Sequence, residues 1–346
     1  MRHSFEQSRR TFLKTTGAAG AAGLTGLAGC AGGSPDELTV AYMPIYPDMQ
    51  HFVMEKEGYY GELDAEVKAT EFTDGPSIIQ AYAGGGFDVA LFGIVPALIT
   101  IAKTGSSKVT AANIQNAMKI LASDEFADMY AEHGADAFQE FEEQKGRKFT
   151  FGTFPSGSTP DILLRYWLRN ELGLDPQTAV NIKGLGGAGP VRQALLAGEI
   201  DGTSIMEPIP TIIEAKDAPF QSIAWAGNFM PGQPAAVALM RDDLRKNRTD
   251  LAEGFVEQHV RATNFTHDNP DAAAKDAAQV IGTDVLPVDI AQQAMQSKAS
   301  DFISNPHEIA EPTKVFAEYT SRLKGIEKLS NDQVFDFSVY DSVVEE

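Results

Sequence analysis

The chain has 346 residues, of which 43% are hydrophobic, and it carries a formal charge of −20 from 48 acidic and 28 basic residues. A surface this acidic repels nucleic acid and anionic membranes, which excludes both as expected partners. The length and composition are those of a globular chain with enough residues for two cores. The excess of carboxylates also predicts a halophilic source, because high salt screens their mutual repulsion.

The first 29 residues have the features of an export signal. The pair Arg9-Arg10 precedes a weakly apolar, glycine-rich stretch that ends in "LAGC", and a twin-arginine pair predicts Tat-type export. The last four residues look like a lipobox, so Cys30 is predicted to be lipidated, although a chance cysteine is the alternative. Cys30 is the only cysteine in the sequence, which leaves no partner for an intramolecular disulfide. Residues 30–37 are predicted to form a short tether.

From Leu38 onward, short β-like runs alternate with helical ones, which predicts an α/β protein with mixed, mostly parallel sheets. The predicted strands are 38–43, 65–70, 87–92, 109–112, 149–153, 180–183, 200–205, 220–225 and 235–240. The predicted helices before residue 226 are 48–58, 76–83, 95–103, 160–172, 190–197 and 209–216.

The order of these elements predicts two lobes. Lobe one is expected to comprise residues 38–112 and 226–346, and lobe two residues 147–225, so the chain would cross between them twice. Residues 113–146 are acidic and have a helical period, which predicts a helical insert that is either a solvated connection or a lid. The segments 75–93 and 189–207 share a Gly-Pro start, a helix ending at glycine and a following strand, as expected for two similar lobes.

Ligands of open α/β sheets bind beyond the carboxyl ends of the strands, so the residues that follow each strand are the candidate ligand contacts. These candidates are Tyr46, Gln50, His51, Gly93, Ile94, Gly157, Ser158, Thr159 and Glu207. In "GTFPSGSTPD", residues 152–161, glycine and hydroxyl side chains precede a helix. A helix start presents unpaired N–H groups and a partial positive charge, which suits a small anion. The same serine or threonine could equally be a plain helix cap.

Other residues have two interpretations each. His51 is either a ligand contact or a packed histidine, and Glu207 either pairs with a ligand amine or makes a structural hydrogen bond. Sequons at Asn247 and Asn264 match glycosylation sites, although chance matches are frequent. Neither a metal site nor a cofactor site nor a catalytic residue is predicted, because the chain shows no Ser-His-Asp order, no HExxH and no P-loop.

Residues Gly146–Pro208 contain a "G-R-K" strand start, a Gly-Ser-Thr helix start, "LGLDP", "ALLAGEID" and a final "MEP". This combination resembles the second lobe of nitrate/sulfonate/taurine-type ABC-transporter substrate-binding proteins. The first half, including the run at Glu57–Tyr60, resembles their first lobe. The resemblance extends from Leu38 to Trp225, and it also includes thiamine-pyrimidine precursor binding proteins.

The resemblance implies a bilobal, periplasmic-binding-protein-like (type II) fold with a two-crossing hinge. Gly157, Ser158 and Thr159 would hold the ligand from lobe two, and residues Tyr42–Gln50 and Gly93–Val95 would face it from lobe one. The implied function is a lipid-anchored, extracytoplasmic solute-binding protein of an ABC importer that captures nitrate, a sulfonate or a carboxylate. Its partners would be the solute, a permease and an ATPase, with the lipid anchor as its sole membrane contact, and we expect a monomer.

The alternatives are a binding protein for a thiamine-precursor pyrimidine and, further off, an enzyme on the same scaffold. The pyrimidine synthases of thiamine biosynthesis resemble this fold but carry a cysteine-rich motif, whereas the single cysteine here lies in the signal. A sensor domain is a third alternative, but we find no transmembrane helix or output module in the sequence.

Overall fold

The computed structural model describes residues 37–345. The predicted signal, the candidate lipidation site at Cys30 and nearly all of the predicted tether lie outside these residues.

The described chain alternates strands and helices from its start, as predicted. The strands are β1 (Glu37–Tyr42), β2 (Glu66–Glu71), β3 (Val89–Gly93), β4 (Ser107–Gln115), β5 (Met118–Ser123), β6 (Thr150–Thr153), β7 (Asn181–Gly184), β8 (Gly202–Met206), β9 (Phe220–Trp225), β10 (Pro234–Arg241) and β11 (Asp301–Phe302). The first helices are α1 (Met49–Lys56), α2 (Gly75–Ala83), α3 (Ile94–Thr104), α4 (Asp124–His133), α5 (Ala137–Lys145), α6 (Thr159–Tyr166), α7 (Ala188–Leu196) and α8 (Ile209–Ala215). They are followed by α9 (Ala226–Phe229), α10 (Asp242–Asn247), α11 (Thr249–Asp268), α12 (Pro270–Ile281), α13 (Val288–Met295), α14 (Ala310–Lys324), α15 (Asn331–Val334) and α16 (Ser338–Val344).

The strands form two mixed sheets, one in each lobe, which confirms the predicted bilobal α/β fold class. The first sheet has the order β11-β4-β10-β3-β1-β2, and the second has the order β7-β6-β8-β5-β9. Strands β1, β2 and β3 pair in parallel, as do β6, β7 and β8. Strands β5 and β10, each of which follows a crossing between the sheets, pair antiparallel with their neighbours. We call residues 37–115 and 234–345 the first lobe and residues 118–225 the second lobe.

The prediction of an all-helical segment at 113–146 is wrong for its first part. Strand β4 continues to Gln115, and Met118–Ser123 forms β5 between β8 and β9 of the second sheet. Four of the six residues of the run "MKILAS" are buried, and the acidic stretch after it obscured its strand character. The rest of the segment is helical, as predicted, in α4 and α5.

Helices α4 and α5 pack on the second sheet through aromatic side chains. The ring of Phe126 lies 4.2 Å from that of Phe149, and Phe138 lies 5.5 Å from the same ring. Phe141 and Trp167 belong to the same buried cluster. Aromatic clusters of this kind contribute several kcal/mol through buried area and ring contacts, at about 1 kcal/mol per ring pair beyond burial. The two acidic helices therefore belong to the core of the second lobe.

The two asparagines of the predicted glycosylation sequons both lie in helices. Asn247 ends α10, where its Nδ2 donates to Asp243 Oδ1 at 2.8 Å, and Asn264 lies exposed near the end of α11. Their modification stays a prediction.

Candidate functional site

A small cavity lies between the two lobes at the carboxyl ends of their parallel strands. Its volume is about 30 Å³, which is room for one or two water molecules. The first lobe contributes Met43, Ile45, Pro47, Gly75, Gly93, Pro96, Ala235 and Ala236 to its wall. The second lobe contributes Met118, Phe154, Ser158, Thr159, Pro160 and Met206. The cavity therefore lies where the strand order predicts a ligand site, and both lobes form its wall.

Three helices begin at this cavity, and each carries a proline in its first turn. They are α2 with Pro76, α3 with Pro96 and α6 with Pro160. A proline is tolerated at these positions because the first N–H groups of a helix have no partner within the helix. A proline also lacks the N–H donor, so each of these three helix starts offers one N–H group fewer than a helix start without proline. Their dipoles still place partial positive charge at the cavity.

The start of α6 contacts the start of α3 directly across the gap between the lobes. The backbone N–H of Val95 donates to Thr159 Oγ1 at 3.3 Å. A Cβ atom added at Gly93 would lie 2.5 Å from the same oxygen. Only a glycine at position 93 permits this approach, so the two segments that the sequence predicted to face each other are in contact.

Ser158 acts as the N-cap of α6, while the neighbouring Gly157 lies away from the cavity. The Asp161 N–H donates to Ser158 Oγ at 3.4 Å, and the Gly157 N–H donates to Asp161 Oδ2 at 2.9 Å. Gly157 has a φ of +86°, and the Lys324 side chain covers it from the first lobe. Ser158 and Thr159 are 5% and 2% exposed and line the cavity. Both the cap and the cavity interpretations of Ser158 are therefore compatible with its position.

The predicted contacts from the first loop and α1 lie behind the cavity, inside the first lobe. The rings of Tyr42 and His51 are 3.9 Å apart, and His51 Nδ1 lies 2.6 Å from the Tyr60 hydroxyl. The Tyr46 hydroxyl donates to the Ala291 carbonyl at 2.5 Å. Gln50 Nε2 donates to the Asn113 carbonyl at 2.7 Å. None of these four predicted contacts lines the cavity in this conformation.

Burial determines the protonation states of His51, Tyr42 and Tyr60. Burial lowers the pKa of His51 to about 3, so the ring is neutral at pH 7. Burial raises the pKa of Tyr42 to about 12 and that of Tyr60 well above its usual value. The protonated Tyr60 hydroxyl and His51 Nδ1 form a hydrogen bond whose donor depends on the imidazole tautomer, and Nε2 lies 3.6 Å from Glu55 Oε2.

The buried carboxylate of Asp48 holds the loop that forms one wall of the cavity. The Met43 N–H donates to Asp48 Oδ2 at 2.9 Å, and Asn113 Nδ2 donates to Oδ1 at 3.3 Å. Asp48 is fully buried, and this desolvation raises its pKa to about 7 despite both hydrogen bonds. Asp48 thus connects the wall residues Met43, Ile45 and Pro47 to strand β4.

Glu207 follows β8, as predicted, but its carboxylate already has partners on the protein. Its Oε1 accepts from Lys119 Nζ at 2.6 Å, and its Oε2 accepts from the Thr211 hydroxyl at 2.8 Å. Lys119 Nζ also donates to Ser297 Oγ of the first lobe at 2.9 Å. This arrangement links the lobes and matches the structural interpretation of Glu207.

Asn116, at the first crossing between the sheets, was not among the residues predicted from the sequence. It adopts the left-handed region at φ +53°, which asparagine tolerates better than most residues. Its Oδ1 accepts from the N–H groups of Gly232 and Gln233, and its Nδ2 donates to Asp301 Oδ2. Its carbonyl accepts from Trp225 Nε1. The "NA" dipeptide at 116–117, between two apolar runs, was the available indication of a turn.

A second groove between the lobes is larger, at about 460 Å³. It is lined by charged and apolar side chains that include Arg192, Lys216, Asp284 and Asp289. The Arg192 side chain donates to the Val285 carbonyl across this groove at 3.1 Å. It lies on helices α7, α8 and α13 rather than at the ends of the parallel strands, so the smaller cavity is the better candidate site.

Within residues 37–345, no three His, Cys, Asp or Glu side chains are grouped in a way that could hold a metal ion. No helix in the same part of the chain is long and apolar enough to cross a bilayer.

Several solved structures share this fold. The nitrate-binding protein NrtA from Synechocystis PCC 6803 has a TM-score of 0.72 and 13% identity, over 90% of this chain and 88% of its own. The alkanesulfonate-binding protein SsuA from Xanthomonas axonopodis pv. citri has a TM-score of 0.67 and 16% identity, over 88% of this chain and 99% of its own. A zinc-bound ligand-binding component of an ABC-type import system from Staphylococcus aureus has a TM-score of 0.69 and 17% identity, over 89% of this chain and 99% of its own. At these identities the likeness establishes the fold alone.

Sequence families give a second, independent comparison. A comparison with curated proteins finds no match. The model of the twin-arginine translocation signal matches residues 6–26, which supports the predicted export from the cytoplasm. The model of the NMT1-like family matches residues 31–282, which include both lobes up to the end of α12. The chain therefore belongs to the NMT1-like family, and its fold is that of periplasmic binding proteins.

Proposed function

We propose that this protein is the solute-binding component of an ABC importer and that it captures a small solute in the cavity between its lobes. The observation that carries the proposal is the cavity wall, to which both lobes contribute. A solute there would be enclosed by the movement of one lobe relative to the other. The closed form would dock on a membrane permease coupled to an ATPase, with no chemical turnover in the binding protein.

The twin-arginine signal and the fold support this proposal from different directions. NrtA and SsuA, which share the fold, are named for nitrate and alkanesulfonate binding. For this chain we propose a small anionic or polar solute of the nitrate, sulfonate or carboxylate class. We further propose that Cys30 carries a lipid anchor, that the protein acts as a monomer at the outer face of the membrane, and that its acidic surface is an adaptation to high salt.

A thermal-shift screen in molar salt tests the proposed function. A ligand that binds only the native state raises the melting temperature by mass action. We expect at least one compound in a panel of nitrate, sulfonates, carboxylates and pyrimidines to raise it in proportion to the logarithm of its concentration. Stabilisation by a pyrimidine alone would favour the thiamine-precursor alternative, and no stabilisation by any compound would contradict the proposal.

The paired variant Ser158→Ala, Thr159→Ala tests the site. Each hydroxyl that contacts the solute contributes about 1 kcal/mol, so the pair should weaken binding by roughly thirtyfold. Unchanged affinity would reduce these hydroxyls to helix caps and would move the site elsewhere. The variant Arg192→Ala, in the larger groove, serves as the matched control and should leave affinity unchanged.

A further inference from the structure

A cavity toward the carboxyl end of α6, where this helix packs against α14, is lined by three arginines. Its volume is about 140 Å³, which is room for about five water molecules. Helix α6 and the π-helical turn Trp167–Glu171 that continues it belong to the second lobe, and α14 belongs to the first. The side chains that line the cavity are those of Ile162, Arg165, Arg169, Pro176, Gln177, Tyr319, Arg322 and Leu323.

This concentration of positive charge contrasts with the composition of the chain, which has 48 acidic and 28 basic residues. Among the described residues that form the wall of this cavity, none is an aspartate or a glutamate. Arg165 and Arg169 are four residues apart in one continuous helix, so they share a face, and like charges at this spacing destabilise a helix. Arg322 adds a third positive charge from the other lobe. A bound anion would offset the mutual repulsion of these side chains.

Each of the three guanidiniums is held by one carboxylate that contacts only one of its nitrogens. A guanidinium has donors on three nitrogens, and within residues 37–345 the other two nitrogens of each have no further protein acceptor. The arginines are therefore positioned by protein contacts and still have N–H groups to offer a ligand. The pairs are Arg165–Asp161 at 2.9 Å, Arg169–Asp175 at 3.0 Å and Arg322–Glu318 at 2.5 Å.

The chemistry of this wall matches a phosphate group. The planar fork of a guanidinium matches two oxygens of a phosphate, and these charge-assisted hydrogen bonds are stronger than neutral ones. The side chain of Arg165 is only 20% exposed, so part of the cavity is shielded from water. The net negative charge of the chain opposes any anion, but at 0.1 M salt charges more than about 10 Å away are largely screened. The arginines in direct contact therefore dominate.

We propose that this cavity binds a phosphate group, held by Arg165 and Arg169 from the second lobe and by Arg322 from the first. The Tyr319 hydroxyl donates to Asn170 Oδ1 at 2.7 Å, which ties the two lobes together beside the cavity. A phosphate there would contact both lobes and favour their present relative position. The site is separate from the proposed solute cavity, so the inference goes beyond the proposed function and does not depend on the solute.

Two titrations of the exported chain at constant ionic strength test the site. Calorimetry with inorganic phosphate tests a free ligand, and sedimentation with phosphatidylcholine vesicles that contain phosphatidic acid tests a lipid head group. We expect binding in at least one of them. Arg169→Gln and Arg322→Gln each remove charge-assisted hydrogen bonds and should weaken that binding about tenfold. Arg165 is left intact because its loss would leave Asp161, which is 1% exposed, without its cation.

Two further variants separate a built site from general electrostatic attraction. Arg322→Lys retains the charge but not the fork, so we expect it to weaken binding severalfold as well. Arg261→Gln is the matched control, because Arg261 is 47% exposed, pairs with Glu62 on the surface and lies outside this cavity, while Arg169 is 50% exposed. It removes the same charge and should bind phosphate as wild type does.

Each outcome of the titrations decides the inference. Binding of inorganic phosphate supports a free ligand, and binding only to vesicles with phosphatidic acid supports a lipid head group. The absence of binding in both titrations would overturn the inference, as would equal affinities of the Arg169→Gln, Arg322→Gln and Arg261→Gln variants. The solute panel of the thermal-shift screen contains no phosphate, so either result leaves the proposed function to its own test.

Discussion

The side chain of Asn116 accepts a hydrogen bond from the N–H of Gly232 at 2.8 Å, which joins the two segments that connect the sheets. Residues 116–117 lead from β4 to β5, and residues 226–233 lead from β9 to β10. The same amide reaches Gln233 and Asp301, so one residue contacts both connections and the edge strand β11. Asn116 therefore ties the two connections between the sheets to each other and to β11.

Replacement of Asn116 should destabilise the protein without any change in the cavity. Asn116→Gly retains the left-handed backbone but loses three side-chain hydrogen bonds, so we expect a loss of about 2 to 3 kcal/mol in urea unfolding. Asp217 also has a positive φ, of 49°, and it is exposed. The control Asp217→Gly should cost less than about 0.5 kcal/mol, and an equal loss in both variants would refute the proposed anchoring role.

Asp48 should make stability fall as the pH rises toward neutral. Its folded pKa is about 7, whereas the unfolded value is about 3.9. Between these values the unfolded chain releases a proton that the native protein retains, so the contribution of Asp48 is full below about pH 4 and is lost by about pH 7. The total loss is at most about 4 kcal/mol.

The variant Asp48→Asn should remove this loss. The asparagine Oδ1 can still accept from the Met43 N–H, and its Nδ2 can donate to Asn113 Oδ1, which has no partner in the structure, if the Asn113 amide flips. We expect a higher melting temperature than wild type at pH 8 and an equal one at pH 4. Asp64→Asn, at an exposed position, is the control, and a variant that is less stable at pH 8 would show that the charged form is needed.

Two buried histidines should make the stability of the protein fall as the pH decreases, which is the opposite of the effect of Asp48. Burial lowers the pKa of His51 to about 3 and that of His259 to about 4, against about 6.5 in the unfolded chain. As the pH falls below 6.5, the unfolded chain binds protons that the native protein refuses, so stability decreases toward pH 4. His259→Gln should reduce the steepness of acid unfolding between pH 6 and 4. His133→Gln, on the exposed surface of α4, should leave the steepness of acid unfolding unchanged. Equal steepness in the two variants would contradict the neutral buried state of His259.

Removal of Lys119 from its ion pair with Glu207 should lower the free energy of unfolding more than removal of the Glu207 charge. Lys119→Met leaves a carboxylate that is 1% exposed without its cation, at an expected cost of about 3 to 5 kcal/mol. Glu207→Gln leaves a lysine that is 17% exposed and can reach water, so it should cost less. Chemical denaturation of both variants and of the double variant measures the difference. A reversed order would mean that Glu207 does not depend on Lys119.

A methyl group at position 93 should hold the lobes apart. The backbone of Gly93 has φ −61° and ψ 150°, which alanine adopts freely, so the effect of Gly93→Ala arises from the contact with Thr159. We expect at least tenfold weaker solute binding and a larger radius of gyration by X-ray scattering. Removal of the opposing hydroxyl in Gly93→Ala, Thr159→Ala should restore the closed dimensions. Gly61→Ala, where an added methyl meets no atom within 4 Å, is the control.

The sequence predicted the two-lobed fold because its strand and helix periods are clear. The cavity positions of Gly93, Ser158 and Thr159 could also be predicted, since Gly93 ends β3 and the other two lie at the helix start that follows β6. Tyr42, Tyr46, Gln50 and His51 occupy equally suitable positions by the same rule. The side chains of Gln50 and His51 are buried in the first lobe instead, because helix α1 packs on α11, and the Tyr46 hydroxyl bonds to the Ala291 carbonyl of α13.

Other features depend on contacts between residues distant in the chain, which periodicity does not reveal. Strand β5 was missed because its partners β8 and β9 follow it by about eighty residues or more. The wall of the cavity brings together Met43, Met118 and Met206 from the ends of three separate strands. Asn116 joins the two connections through its contacts with Gly232 and Gln233, which lie more than 100 residues further along the chain. These juxtapositions arise from the path of the chain between the sheets.

The position of β10 has a consequence for how the protein is made. This strand lies between β3 and β4 in the first sheet, although it follows them by more than 100 residues. During synthesis, the edges of β3 and β4 that face β10 therefore lack their hydrogen-bond partner until the whole second lobe, with its five strands, has been made. Such edges invite aggregation. A twin-arginine route, which exports proteins after they have folded, would allow β10 to insert between β3 and β4 in the cytoplasm, where chaperones are present.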